Sequence, residues 1–157
     1  MVTKAALTEA AIAGAQLQNA YALAVDTRDW AYFATLFTPE VLATYPNREY
    51  DGMDDWLSHF IPFHDECTWT LHVMSNNVVG ADDHGLWAAC HGAVQWCHSS
   101  QPGEINRASV HFRDRLVNQD GRWLIGRRRL DLLMIESDQL PSRVSLPNSL
   151  PELVDRS

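Results

Sequence analysis

The hydrophobic period of this chain changes once along its length, and that change restricts the architectures open to it. Thr68–Val73, Leu86–Cys97, Arg107–Val117 and Arg122–Ile135 are rich in β-branched, aromatic and aliphatic residues, and the turn segments GADDHG, SSQPGE and NQDG separate them. Four consecutive strands of this kind form a meander. Ahead of them, Thr8 to about Thr27 is rich in Ala, Leu and Gln and contains no Pro, the composition of a long helix. Helices first and sheet afterwards define an α+β domain, in which one curved antiparallel sheet wraps around three N-terminal helices. With 157 residues, 46% of them hydrophobic, there is material for one sizeable core and not for two.

The three helices are predicted from caps and breakers. Thr8 followed by Glu9 forms a capped start for the first. Ile12, Gln16, Asn19, Leu23 and Asp26 then follow a 4-3-4-3 spacing, a single stripe that begins apolar, turns polar and faces inward. Asp29 caps a second short helix through Trp30, Phe33, Leu36 and Phe37, which Pro39 terminates. Residues 41–50 read as one short strand interrupted by Pro46 and Asn47, and Asp51-Gly52 turns the chain. A third helix, MDDWLSHF, begins near Met53 and stops at Pro62. The domain is expected to span residues 1–136. The remaining 137–157, with Pro141, Pro147 and Pro151, form a tail that is a lid, an oligomer arm or disordered.

Charge and cysteine content exclude several classes of function. Twenty acidic against twelve basic residues give a net charge of −8, which repels phosphate backbones and anionic lipid, so neither nucleic acid nor membrane is an expected partner. The only dense basic cluster, Arg127–Arg128–Arg129, falls in a strand whose alternate side chains point to opposite faces. No stretch approaches eighteen apolar residues and the N-terminal sequence lacks the pattern of a secretory signal, so a cytoplasmic location is expected. Cys67, Cys90 and Cys97 contain no C-x-x-C pair and read as reduced, partly buried thiols. Neither His59/His64 nor His91/His98 has the helical spacing of a zinc motif, and no metal or organic cofactor is expected.

An Asp near a helix end and a His on a facing strand can form a general base, the carboxylate orienting the ring and favouring the imidazolium formed on proton abstraction. Asp26 and His72 are placed to do so. Strand alternation puts His72, Met74 and Asn76 on one face. A His in an apolar strand is also an ordinary structural residue, and Asp26 also a helix-end cap, so composition leaves both readings open.

The segments YALAVDTRDWAYFATLFTPE, TLHVMSNNVV and DGRWLIGRRRL, which run from Tyr21 to Leu130, resemble the ordered signature of the SnoaL-like, nuclear transport factor 2-like superfamily. The resemblance implies a cone-shaped α+β barrel around an apolar pocket. Its dehydratases and dehydrochlorinase carry an Asp at the end of the first helix and a His in the strand after the third, which Asp26 and His72 match. By that resemblance His72 removes a proton next to a leaving group and Asp26 stabilises the imidazolium. The product is that of β-elimination from a small, largely apolar, oxygenated ring or polyketide-like substrate. Tyr21, five residues before Asp26 as in the bile-acid dehydratase pattern, is a candidate contact to a substrate oxygen. His91 in CHGAV is the nearest match to a second His of scytalone dehydratase. Ser109 falls near a polar position of the next strand in the same family, and Arg129 is a candidate contact for a leaving group or anion. Each of these also has an ordinary reading as a core tyrosine, a strand residue or a surface cation.

The ketosteroid isomerase constellation does not map onto this chain. Asp131 with its neighbouring arginines imitates the Asp-Arg-Asp arrangement of limonene epoxide hydrolase, which keeps an epoxide hydrolase or cyclase as an alternative. A non-catalytic accessory or binding subunit of the same fold is another, and it predicts a pocket filled by large side chains or a partner chain. Related cones associate through the exposed sheet face, so a homodimer or homotrimer is expected.

Overall fold

Helix α1 (Lys4–Thr27) begins a turn earlier than Thr8. Thr3 is its cap, accepting the Ala6 amide at 3.1 Å, while the Thr8 hydroxyl lies inside the helix and donates to the Lys4 carbonyl. Arg28, left-handed at φ 61°, ends the helix by donating its amide to the Ala24 and Val25 carbonyls. The inward stripe is not the one the spacing suggests. Ile12 and Leu23 are 65% and 66% exposed, and Gln16 and Asn19 also face outward. Ala10, Gly14, Leu17, Gln18, Tyr21 and Val25 are buried instead. Small residues let the helix lie close against the sheet: a Cβ on Gly14 would meet Val79 Cγ2 at 2.9 Å. In a helix so rich in Ala, Ile12 and Leu23 mark the wrong face while Leu17 marks the right one.

The computed structural model describes residues 2–136 and 142–143. After α1 come α2 (Trp30–Ala34), β1 (Phe37–Tyr45), β2 (Arg48–Asp51) and α3 (Met53–Asp65). Then follow β3 (Cys67–Asp82), β4 (Gly85–His98), β5 (Asn106–Gln119), β6 (Arg122–Glu136) and β7 (Ser142–Arg143). Helix α2 stops at Ala34, short of Leu36 and Phe37, because the Leu36 carbonyl accepts the Ile125 amide at 2.9 Å and Phe37 opens β1. Pro39 is therefore a strand residue. It lies where the β1–β6 register is interrupted, between Phe37 and Leu42, so its missing N–H removes no regular ladder bond. The expected single strand over 41–50 is two strands, β1 and β2, paired from Leu42↔Asp51 to Tyr45↔Arg48 around Pro46–Asn47. Helix α3 passes through Pro62. Its last turn is retained by His64, whose Nδ1 donates to the Phe60 carbonyl at 2.6 Å and whose ring packs 4.1 Å from that of Phe60.

The strands form one curved sheet in the order β2-β1-β6-β5-β4-β3, with β7 added beside β6. The fold is α+β as expected. The sheet is mixed, since β1 runs parallel to β6, and open, since its path ends at β2 and β3 without joining. Strand β1 enters from the helical layer and not through a hairpin with β6, so nothing imposes an antiparallel pairing there. Packing of α1 against β3, β4 and β6 covers the concave face, where Tyr21, Phe33, Phe37, Trp56, Phe60 and Phe112 form the aromatic centre of the core.

Two strand details decide what faces the helices. A bulge between Ser75 and Val78, with Asn76 at φ 56°, reverses the parity of β3, and Asn76 bonds His91 on the convex side instead of following His72 and Met74 inward. In β6, Arg128 points into the core opposite Asp114, while Arg127 and Arg129 belong to the convex face, so the arginine triplet forms no patch. On that convex face β3 exposes Trp69, Leu71 and Val73. Among the described residues no helix is long and apolar enough to cross a membrane. The expected tail, 137–157, lies outside the described residues except for Ser142–Arg143, which pair with Ile135 and Met134.

Candidate active site

Asp26 occupies the last turn of α1, where the negative end of the helix dipole disfavours a carboxylate. Three donors from β3 offset this. Its Oδ2 accepts the His72 amide at 2.8 Å, and its Oδ1 accepts Thr70 Oγ1 at 2.9 Å and His72 Nδ1 at 2.7 Å. Thr70 in turn accepts from Arg28, whose guanidinium also caps the Val25 carbonyl. Burial pushes the Asp26 carboxyl up, but the hydrogen bonds from the His72 ring and backbone outweigh it, with Thr70 adding to them, and its pKa lies below the ordinary value. A carboxylate bonded to Nδ1 fixes the ring so that Nε2 carries the lone pair.

His72 lines a cavity of about 420 Å³. Phe60, Phe63, Val94, Trp96, Phe112 and Leu130 supply apolar wall, and Arg48 and His59 stand at a solvent-exposed margin, bonded to each other at 2.7 Å. The cavity volume suits a ligand of a few fused rings.

Tyr21 also lines the cavity, its ring 6.1 Å from that of His72 and nearly perpendicular to it. Its hydroxyl shares a 3.1 Å hydrogen bond with Tyr45. Burial raises the pKa of Tyr21 despite the Arg128 charge, and burial followed by the Tyr21 neighbour raises that of Tyr45 further. Both phenols therefore keep their protons at neutral pH. One O–H serves the shared bond, which leaves the other to donate to a ligand oxygen. Beneath the pair, the Arg128 guanidinium lies 4.1 Å from the centre of the Tyr21 ring and makes two bonds, of 2.7 and 2.8 Å, to the fully buried Asp114. Burial disfavours the Arg128 cation, but the charge and hydrogen bonds of Asp114 hold it ionised. Gln18 and Asn77 extend this network.

Of the six residues singled out from sequence, Asp26, His72 and Tyr21 come together. The other three do not. His91, Ser109 and Arg129 lie on the convex face: His91 pairs across β4–β5 with His111, Ser109 with Ala93, and Arg129 with Arg113. The parity of β4 that turns Cys90 and Val94 toward the core turns His91 away from it. Asp131 belongs to the same convex group, paired with Arg113 and, at 3.1 Å, with Arg129, so it does not build an epoxide-hydrolase triad in this cavity. The ring of His111 lies 5.1 Å from that of His91 and tilted to it, and burial, helped by the charges of Arg113 and His91, lowers its pKa to about 4.

The cavity holds residues that sequence reasoning missed. Tyr45 and His64 arrive from β1 and α3 through tertiary packing, and no motif announces them. Arg128 had a faint signal, as the middle member of a strand triplet that must alternate. The three cysteines are free and buried, and among the described residues no cluster of His, Cys, Asp or Glu is placed to hold a metal ion.

The family model of the SnoaL-like domain matches residues 5–129. No curated protein matches. Among solved structures, a candidate scytalone dehydratase from Novosphingobium aromaticivorans superposes with a TM-score of 0.70 at 17% identity, covering 86% of this chain and 87% of that one. A type 2 hexachlorocyclohexane dehydrochlorinase gives 0.68 at 15% identity, over 90% and 95% of the two chains. ActVI-ORFA from Streptomyces coelicolor gives 0.65 at 18% identity, over 77% and 95%. At these identities the likeness is one of fold.

Proposed function

Because the chain belongs to the SnoaL-like domain family, whose model covers most of it, we propose that it is a cofactor-independent lyase catalysing dehydratase-type β-elimination on a small, largely apolar, oxygenated ring. The observation that carries this reading is the 2.7 Å bond between Asp26 and His72 Nδ1 beside a cavity that the described side chains leave open. His72 Nε2 takes the proton from carbon, and the C–H electrons form the new double bond. The β-hydroxyl leaves as water on receiving the proton from the imidazolium. Asp26 stabilises the imidazolium between these steps. The Tyr21–Tyr45 pair donates to the substrate carbonyl and accepts the charge that develops on its oxygen.

The neighbouring folds described as dehydratase and dehydrochlorinase support elimination as the reaction type. A cavity that the described side chains leave open supports a ligand-processing protein over an accessory subunit with a packed interior. The test is to incubate the protein with β-hydroxy ketones on fused-ring frames and follow loss of water by mass. Turnover that disappears in both Asp26→Asn and His72→Ala is the expected result. Ligand binding without turnover in the unmodified protein would replace the lyase with a binding protein. The exposed row Trp69, Leu71, Val73 supports a homodimer or homotrimer, and sedimentation showing only monomer would reject it.

A further inference from the structure

His64 is a second histidine of the cavity, and the elimination chemistry does not use it. It sits in the last turn of α3, 3% exposed, enclosed by aromatic rings: Phe60 at 4.1 Å, Phe63 at 5.1 Å and Trp30 at 5.5 Å. Its Nδ1 is committed, donating to the Phe60 carbonyl at 2.6 Å. That bond fixes the tautomer, so Nε2 carries a lone pair and no proton. Among the described residues this is the one hydrogen bond the ring makes, and the ring lines the same cavity as His72, Tyr21 and Tyr45. Nε2 is reached from the cavity and is not sealed within the protein, so a ligand hydroxyl can take the place of water on it.

We propose that His64 is a specificity residue that accepts a hydrogen bond from a hydroxyl of the substrate, distinct from the group eliminated. The cavity thus has two polar poles of opposite sense, the Tyr21–Tyr45 pair donating and His64 accepting, with the Phe60 ring between Tyr45 and His64. The ligand class that satisfies both is a fused-ring ketone with a phenolic or alcoholic hydroxyl remote from its carbonyl. Burial, with smaller contributions from the Arg28 and His72 charges, lowers His64 to about 4, so it remains an acceptor and not a donor across the physiological range. The inference rests on reading this cavity as the substrate site, but not on the reaction performed there.

The probes are α-tetralone, its ring-hydroxylated isomers and the corresponding methyl ethers, none of which carries a group to eliminate. Their binding is measured by calorimetry on the unmodified protein and on His64→Phe. The expected result is that at least one hydroxylated isomer binds about tenfold more tightly than its methyl ether and than α-tetralone, the worth of one buried hydrogen bond. In His64→Phe this ratio should collapse toward one. Equal affinities in the unmodified protein, a ratio unchanged by the substitution, or no binding of any probe would overturn the proposal. Should the variant fail to fold, ¹⁵N spectra of the imidazole rings decide the matter in the unmodified protein. The hydroxylated probe should shift the unprotonated Nε2 signal of His64 while its methyl ether does not, and a signal indifferent to both would overturn the assignment. Because these probes do not react, absence of lyase turnover and failure of this inference are separate results.

Discussion

The two faces of the sheet carry similar side chains and differ in what surrounds them. On the concave side, His72 bonds Asp26 and Arg128 bonds Asp114, with His72 lining a cavity and the second pair lying beneath its wall. On the convex side, the His91 ring contacts that of His111 and Asp131 pairs with Arg113 and Arg129. Both groups combine imidazole, carboxylate and guanidinium side chains. The concave one borders the 420 Å³ cavity, on which His64, His72, Tyr21 and Tyr45 converge. Residue type is therefore a poor guide to a site, and strand parity a better one. His72 pairs with Val94 across β3–β4, and His91, three residues along β4 from Val94, falls on the other side of the same sheet.

Functional substitutions test that contrast most severely. Asp26→Asn and His72→Ala should each lower kcat on the order of a thousandfold, the range of a lost general base. Ser109→Ala and His91→Ala should leave kcat within about twofold. An equal loss on the convex side, read from initial rates, would erase the distinction between the faces. Stability provides the next measurement. Arg128→Met leaves Asp114 buried without its partner and should cost about 3–5 kcal/mol in urea unfolding. The partly exposed Arg129→Met should cost less than about 1 kcal/mol. Arg128→Met combined with Asp114→Leu should recover much of the loss.

The two faces respond alike to acid. His64 on one and His111 on the other have folded pKa values near 4, against an ordinary 6.5. As pH falls below 6.5 the unfolded chain takes up these protons first, so stability should decline from pH 6.5 to about 4. His64→Phe should remove roughly 2 kcal/mol of that decline, as measured by urea unfolding across the interval. Asp26, whose pKa is depressed, contributes stability that is present above the ordinary carboxylate value and lost as pH falls through its own. A smaller loss than that of Asp26→Asn or His72→Ala is expected of Tyr45→Phe, about tenfold in kcat, because Tyr21 retains a hydroxyl to donate.

The division between helices and meander was legible because periodicity is a local property, and the pairing of β3 through β6 follows from their turns. The β1–β6 parallel pairing was not, since it joins residues far apart in sequence and is carried by a strand that contains Pro39. Within α1 the buried face includes Ala10, Gly14 and Ala24, whose small side chains give little contrast with their neighbours. Asp26, His72 and Tyr21, which the structure brings together, were singled out because resemblance supplied positions that composition could not separate from ordinary structure. The misplacement of His91, Ser109 and Arg129 came from register. One bulge at Asn76 or between Ser109 and Val110 changes which residues share a face, and nothing in those residues signals it in advance.

The anchoring of Asp26 bears on how such a protein would change over evolutionary time. Two of the three bonds that hold its carboxylate come from the His72 amide and the Thr70 hydroxyl. Neither needs an imidazole. A descendant released from selection for catalysis could replace the His72 side chain while the end of α1 still required an acceptor at position 26 to dock against β3. Loss of activity along such a lineage should therefore be written first at position 72, with the aspartate persisting as part of the scaffold.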